Sequence, residues 1–414
     1  MKTISHICLI AALLCSTLFM AAQDYILLSD LSTQELPKIA KKDHGGQLVR
    51  KVINGDQMWE HSHKQLVKTN FSNKVFIRMM KTLYRNTKTH MVGLRCAYWS
   101  QTPQGDSLLV SGKIYLPKNR QLKGILLANH YTIATDMEAP SNMFQADCIY
   151  AMKDYAVVMP DYVGYGLSRE EIHPYLHWRS AAQTAIDLLN CMPALLDHYG
   201  YSYPTDITIV GYSQGAAVAL GVARMIEEAS ATNTPFPWTI RKLYAGAGPY
   251  DPAATYDYCV EHDSIGIPGA VPMIVMGMSD AYDLNFQLQD FFHEPLLSHY
   301  HEWVASKQYT VGQIGHMMGS GRMSVLMRAE VLDKHNALAQ QLYNALHDNS
   351  NVGYPLQAPA FFLHSTDDAV VPIINSLNLQ AAMPDNATVT FDYDAYGSHA
   401  EAALPFMQYV YQDL

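Results

Sequence analysis

The stretch Ile207-Thr208-Ile209-Val210-Gly211-Tyr212-Ser213-Gln214-Gly215-Ala216-Ala217-Val218-Ala219-Leu220 decides the fold. Its first four residues form a short apolar, β-branched run of the kind found in buried strands. Its last five favour a helix. Between them two glycines bracket Ser213 at positions −2 and +2, so the chain can turn sharply and lift the serine into the open. A bare G-x-S-x-G is a weak signal, because a glycine-rich turn can carry an idle serine. The flanking strand and helix make it specific, since a nucleophile held at a strand-to-helix turn needs that context.

Reading outward, more short apolar runs appear. Gly124 to Ala128, Ala156 to Pro160, Leu243 to Ala247 and Ala360 to Leu363 all read as buried strands. Leu94 to Trp99 and Leu108 to Leu116 flank the turn-forming Thr102-Pro103-Gln104-Gly105-Asp106 and predict a hairpin. Ala181 to His198 carries apolar residues at helical spacing (Ala185, Leu188, Leu189, Met192, Leu195, Leu196), with Pro193 as an expected break. Strands buried on both faces and separated by helices predict an α/β fold with a mostly parallel, doubly wound sheet. The alternation stops over residues 251–356, which are aromatic, Met-rich and helical in pattern. The expected organisation is therefore a core of residues 91–250 and 357–414, an inserted helical cap over 251–356, and a helical extension over 23–90.

A serine hydroxyl is a weak nucleophile at neutral pH and needs a base, which an acid must orient. Candidates lie beyond two later strands. His364-Ser365-Thr366-Asp367-Asp368 follows the run at Phe361, and Tyr396-Gly397-Ser398-His399 follows Val389 to Tyr393. Asp368 is the expected acid, with Asp367 as the alternative, and His399 the expected base. The spacing of 31 residues from Asp368 to His399 leaves room for one helix, over 373–383, and one strand.

On these motifs the chain resembles the secreted lipase and esterase branch of the α/β-hydrolase superfamily. The likeness runs from about Val110 to the C-terminus. It extends to Val157-Val158-Met159-Pro160-Asp161-Tyr162-Val163-Gly164-Tyr165-Gly166-Leu167-Ser168 and to His173-Pro174-Tyr175-Leu176. The resemblance implies cleavage of a small-molecule carboxylic ester through Ser213, His399 and Asp368, without a cofactor or a metal. It implies an oxyanion hole built from Gln214 and from Tyr131 or, second, Thr132. It also implies substrate contacts from His130 and Tyr212. Two departures stand out. The family often has Gly after the histidine at the positions where this chain has Tyr131 and Ser365. A serine peptidase on the same fold and a non-catalytic binding module are the competing readings. A panel of acyl esters beside aminoacyl amides separates them.

The net charge of −10, without a basic block, excludes a nucleic-acid face. Met1-Lys2, the apolar Ile7 to Met20 and the small Ala21-Ala22 read as a signal peptide over residues 1–22, so export is expected. The run is too short to serve as a membrane span. Past it remain Cys96, Cys148, Cys191 and Cys259, which allow three disulfide connectivities. His173 with His177, and His299 with His301, lack a third metal ligand at suitable spacing. The methionines at 273, 276, 278, 317, 318, 323 and 327 are expected to wall an acyl pocket or to pack the cap core.

Overall fold

A computed structural model describes residues 25–27 and 91–414, except 144, 233–235 and 385. The described strands form one sheet: β1 (Tyr25–Leu27), β2 (Met91–Gln101), β3 (Ser107–Pro117), β4 (Gly124–Asn129), β5 (Tyr155–Pro160), β6 (Asp206–Tyr212), β7 (Thr239–Gly246), β8 (Ala360–Ser365) and β9 (Val389–Asp394). Their spatial order is β1-β2-β3-β5-β4-β6-β7-β8-β9. The first three strands pair antiparallel, and β3 meets β5 antiparallel. All pairs from β5 to β9 are parallel. Every residue of β4, β5 and β8 is buried, as strands covered on both faces require.

Helices α1 (Trp178–His198) and α2 (Gln214–Ala231) cover one face. The turn at Ala146–Lys153 and a C-terminal helix, described below, cover the other. Helix α1 continues through Pro193, against the expected break. Proline in a helix interior costs about 3 kcal/mol. Leu188, Leu189, Leu195 and Leu196 of the same helix are fully buried, and each contributes roughly 1.5–3 kcal/mol. Packing therefore outweighs the local penalty.

Between β7 and β8 the chain is helical, apart from a single bridge between Phe292 and Met327. Its longer helices are α3 (Pro252–His262), α4 (Val271–Ala281), α5 (Val311–Met318) and α6 (Ala337–Asp348). They close on their own apolar cluster, which includes Phe286, Phe291, Phe292 and Met327 and also takes in Ala134 and Tyr175 from loops of the sheet. Helices α7 (Ile374–Ala382) and α8 (His399–Asp413) complete the core.

Of the expected N-terminal extension, Tyr25–Leu27 is an edge strand on β2 rather than helix, with Tyr25 opposite Tyr98. The rest of it and the signal peptide lie outside the described residues. Among the described residues no disulfide joins Cys96, Cys148, Cys191 and Cys259, and the first three are buried. Among the described residues no helix is long and apolar enough to cross a membrane.

Candidate active site

Strand order places the site. β5 lies on one side of β4 and β6 on the other, so the loops after β4 and β6 diverge at the sheet's switch point. Asn129 and Gly211 are direct neighbours there. Ser213 follows β6 and is the N-cap of α2, with φ 58° and ψ −127°. A non-glycine residue in that region carries strain of order 1–3 kcal/mol, and the packing around it holds it there. A Cβ at Gly215 would lie 2.0 Å from the Asn129 carbonyl oxygen, and one at Gly211 2.0 Å from the Gly215 oxygen. Both glycines are thus required by close backbone approach. The Ser213 N–H donates to the Gly246 carbonyl at 2.8 Å, which ties the turn to the end of β7.

Three side chains meet at this edge. Ser213 Oγ lies 2.9 Å from His399 Nε2. His399 Nδ1 lies 2.5 Å from Asp368 Oδ2. A carboxylate only accepts, so Nδ1 carries the proton and Nε2 is free to take one from Ser213. Asp368 Oδ1 accepts the backbone N–H groups of Val370 and Val371 at 2.8 and 2.9 Å. Burial raises the Asp368 pKa, but its bonds with His364 and His399 outweigh this and hold it well below the usual carboxylate range. Asp367 is exposed. Asp368, and not Asp367, is thus the carboxylate that meets His399.

His399 is the first residue of α8. A capping box fixes its place, with the Ser398 N–H on Glu401 Oε2 at 2.8 Å. The Tyr212 hydroxyl donates to the His399 carbonyl at 2.6 Å. The Ser365 hydroxyl donates to the Gly397 carbonyl at 2.6 Å, joining the acid loop to the histidine loop. Ser365 therefore has a positional use. The S-x-x-E pattern at 398–401 is a capping-box signal that sequence reading left unused.

Solved structures share this architecture. The rice cell wall degrading esterase LipA from Xanthomonas oryzae superposes with a TM-score of 0.64 at 21% identity, over 77% of this chain and 87% of that one. A protein assigned as a hydrolase from Legionella pneumophila gives 0.67 at 18%, over 78% and 87%. Candida antarctica lipase A gives 0.57 at 15%, over 78% and 77%. The chain has the α/β-hydrolase fold. No protein-family profile matches the chain. No curated protein matches it in sequence.

The loop after β4 packs beside the Ser213 turn, with the Asn129 and His130 carbonyl oxygens against Gly215, and here two expectations change. His130 is buried, with Nδ1 2.7 Å from the Tyr131 carbonyl, Nε2 3.2 Å from the Asp161 carbonyl and its ring stacked on Tyr162. It holds the loop from within and presents no polar atom to a substrate. Tyr212 likewise commits its hydroxyl to the His399 backbone. Thr132 is drawn inward by a 2.7 Å bond with the Tyr175 hydroxyl, while Tyr131 stays exposed at the loop surface. Gln214 is the first residue of α2, so its N–H is one of the helix-start amides without an intrahelical partner.

A cavity of about 350 Å³ lies between the insertion and the sheet loops. Met273, Met276 and Gly277 of α4 line it, with Ala134, Tyr165 and His173 among the facing residues. Met317 and Met318 do not line it.

Proposed function

We propose that the protein is an exported serine ester hydrolase in which Ser213, His399 and Asp368 form a catalytic triad. The observation that carries this reading is the continuous hydrogen-bond chain from Ser213 Oγ through His399 to Asp368, at 2.9 and 2.5 Å. Ser213 Oγ attacks the ester carbonyl carbon and passes its proton to His399 Nε2. Asp368 holds the imidazole in the correct tautomer and stabilises its charged form. The Gln214 N–H faces the oxyanion, with Tyr131 supplying the second donor. His399 returns the proton to the leaving alkoxide, and the acyl group stays on Ser213. A water molecule, deprotonated by His399, then releases the acid.

The insertion leaves the sheet at Gly246, beside Ser213, and the cavity beneath it is lined by Met273, Met276, Tyr165 and Tyr300 together with the charged Arg169, Glu170, Glu171 and Lys307. The methionines and tyrosines are the surface it offers to an apolar acyl or aryl group. Export rests on the leader pattern of residues 1–22.

The test is Ser213→Ala on purified protein, assayed with esters from acetate to long acyl chains beside aminoacyl amides. Ester turnover should fall ~10³–10⁶-fold in kcat. Retention of more than about a tenth of the activity removes Ser213 as nucleophile, since removal of a triad serine leaves far less. Amide turnover exceeding ester turnover makes the enzyme a peptidase.

A further inference from the structure

None of Ser213, His399 and Asp368 lines the cavity under the insertion, but His173 does. His173 lies in the loop after β5 and is only 6% exposed. Its Nδ1 is 2.7 Å from the Val163 carbonyl oxygen. That oxygen can only accept, so Nδ1 carries the proton. Nε2 is then a lone pair, 3.0 Å from Gln214 Nε2, which donates to it. Burial pushes the His173 pKa down to about 3, so the neutral tautomer persists through the neutral range. The rings of Tyr165 and Tyr175, with centroids at 4.8 and 5.9 Å, leave the imidazole little freedom to turn.

Gln214 is itself buried, and its side chain has this one bond, because Oε1 has no hydrogen-bond partner. The bond fixes the far end of the residue whose backbone N–H follows the strained Ser213. Rotation of the Ser213–Gln214 peptide would swing that N–H away from a developing oxyanion. It would also drag the side chain off His173.

The same segment is pressed from the opposite side by the insertion. A Cβ on Gly277 of α4 would lie 2.8 Å from the His173 carbonyl oxygen and 2.6 Å from the Tyr175 nitrogen. Lys307, also from the insertion, donates to the carbonyls of Gly164 and Arg169 at 2.6 Å each. Of the methionines that line the cavity, Met273 stands one turn before Gly277 and Met276 immediately before it.

We propose that His173 is a positioning residue for Gln214. It clamps the carboxamide so that the Gln214 N–H stays aimed at the oxyanion, and it links that donor to helix α4 of the insertion. The proposal rests on the ester-hydrolase reading, which assigns the oxyanion to the Gln214 amide.

Three substitutions divide the two bonds of the ring. His173→Gln places a carboxamide oxygen where Nε2 was and keeps an acceptor for Gln214. His173→Asn reaches only Val163. His173→Phe makes neither bond. Each is assayed for kcat and KM on a short-chain p-nitrophenyl ester. Each is also assayed for inhibition by a trifluoromethyl ketone, which adds to the serine as a hemiketal oxyanion. In the Asn and Phe variants kcat should fall ~10–100-fold, because misplacing an oxyanion donor approaches the effect of losing it. KM should stay within about twofold, since the ground-state ester makes little use of that donor. The ketone Ki should rise in step with the loss in kcat, and Gln should recover most of it. Gly277→Ala, which leaves His173 intact, should give the same kcat and Ki pattern in milder form.

Unchanged kcat in Asn and Phe overturns the proposal. So does a Gln variant as poor as Phe, or a fall in kcat without a rise in ketone Ki. The Gln214 side-chain amide resonance gives a readout that needs no turnover. It should shift in His173→Asn even in a Ser213→Ala background, and its failure to move also overturns the clamp. If Ser213→Ala keeps its activity while the resonance still shifts, the His173–Gln214 bond stands, but the ester-hydrolase reading falls and with it the oxyanion role of Gln214.

Discussion

Asp368, in the loop after β8, and Glu138, in the loop after β4, are two carboxyls withdrawn from water along the same sheet edge, in opposite surroundings. Asp368 Oδ1 accepts two backbone N–H groups, Oδ2 accepts His399, and His364 stands 3.5 Å away. Its pKa lies well below the ordinary value. Glu138 Oε2 has no hydrogen-bond partner, and burial pushes that carboxyl up to about 7 despite backbone bonds from Ala134 and Thr135. Burial by itself does not set the sign. The number of donors turned toward the oxygens does. The acid loop is built to hold a charge, whereas the loop after β4 holds a carboxyl it has not satisfied.

The contrast breaks first at the acid loop. Asp368→Asn should lower kcat by ~10⁴, because the amide cannot fix the imidazole tautomer. Asp367→Asn, on the exposed neighbour, should stay within a few-fold in the same ester assay. A larger loss from Asp367 would transfer the orienting role to that residue. The pH response should differ as well. Asp368 has a lowered folded pKa, so its stabilisation is present above the unfolded value of 3.8 and is lost as pH falls below it.

Glu138 runs the other way. Its folded pKa is raised, so its stabilisation is full below the unfolded value of 4.5 and is lost as pH climbs through about 7. Glu138→Gln should therefore raise unfolding free energy by about 1–3 kcal/mol at pH 8. At pH 4 it should change little. Urea melts at the two pH values measure this. Equal effects at both would mean that the carboxyl's charge is not the source.

The smallest expected effect extends the contrast between committed and open positions into the insertion. Met273 and Met276 border the cavity, whereas Met318 is buried in the insertion's core away from it. Met273→Gln or Met276→Gln should shift the ratio of long- to short-chain ester kcat/KM by about tenfold, the scale of an apolar pocket contact. Met318→Gln should lower the melting temperature and leave that ratio unchanged. Equal loss on both esters from Met273→Gln would assign Met273 to packing.

Much of the α/β-hydrolase fold was legible because its signals are local. The central strands of the parallel sheet hold short apolar runs, and the turn at Ser213 is written in five consecutive residues. The order Ser213, Asp368, His399 could be read because each residue follows such a run. Three features escaped for a common reason. Pro193 breaks a helix by its own chemistry and is overruled by leucines packed from outside. The resemblance implied substrate contacts from His130 and Tyr212, yet their polar atoms are taken by the Asp161 and His399 backbones, 31 and 187 residues away.

The sequence by itself determined the strands, the sharp turn at Ser213 and the residue types at 213, 368 and 399, since backbone sterics and side-chain periodicity act over a few residues. Only the tertiary structure decided which acid meets His399 and which histidine holds Gln214. It also decided which methionines face open space. Those outcomes depend on donors and surfaces converging from distant segments, and convergence leaves no periodic mark along the chain.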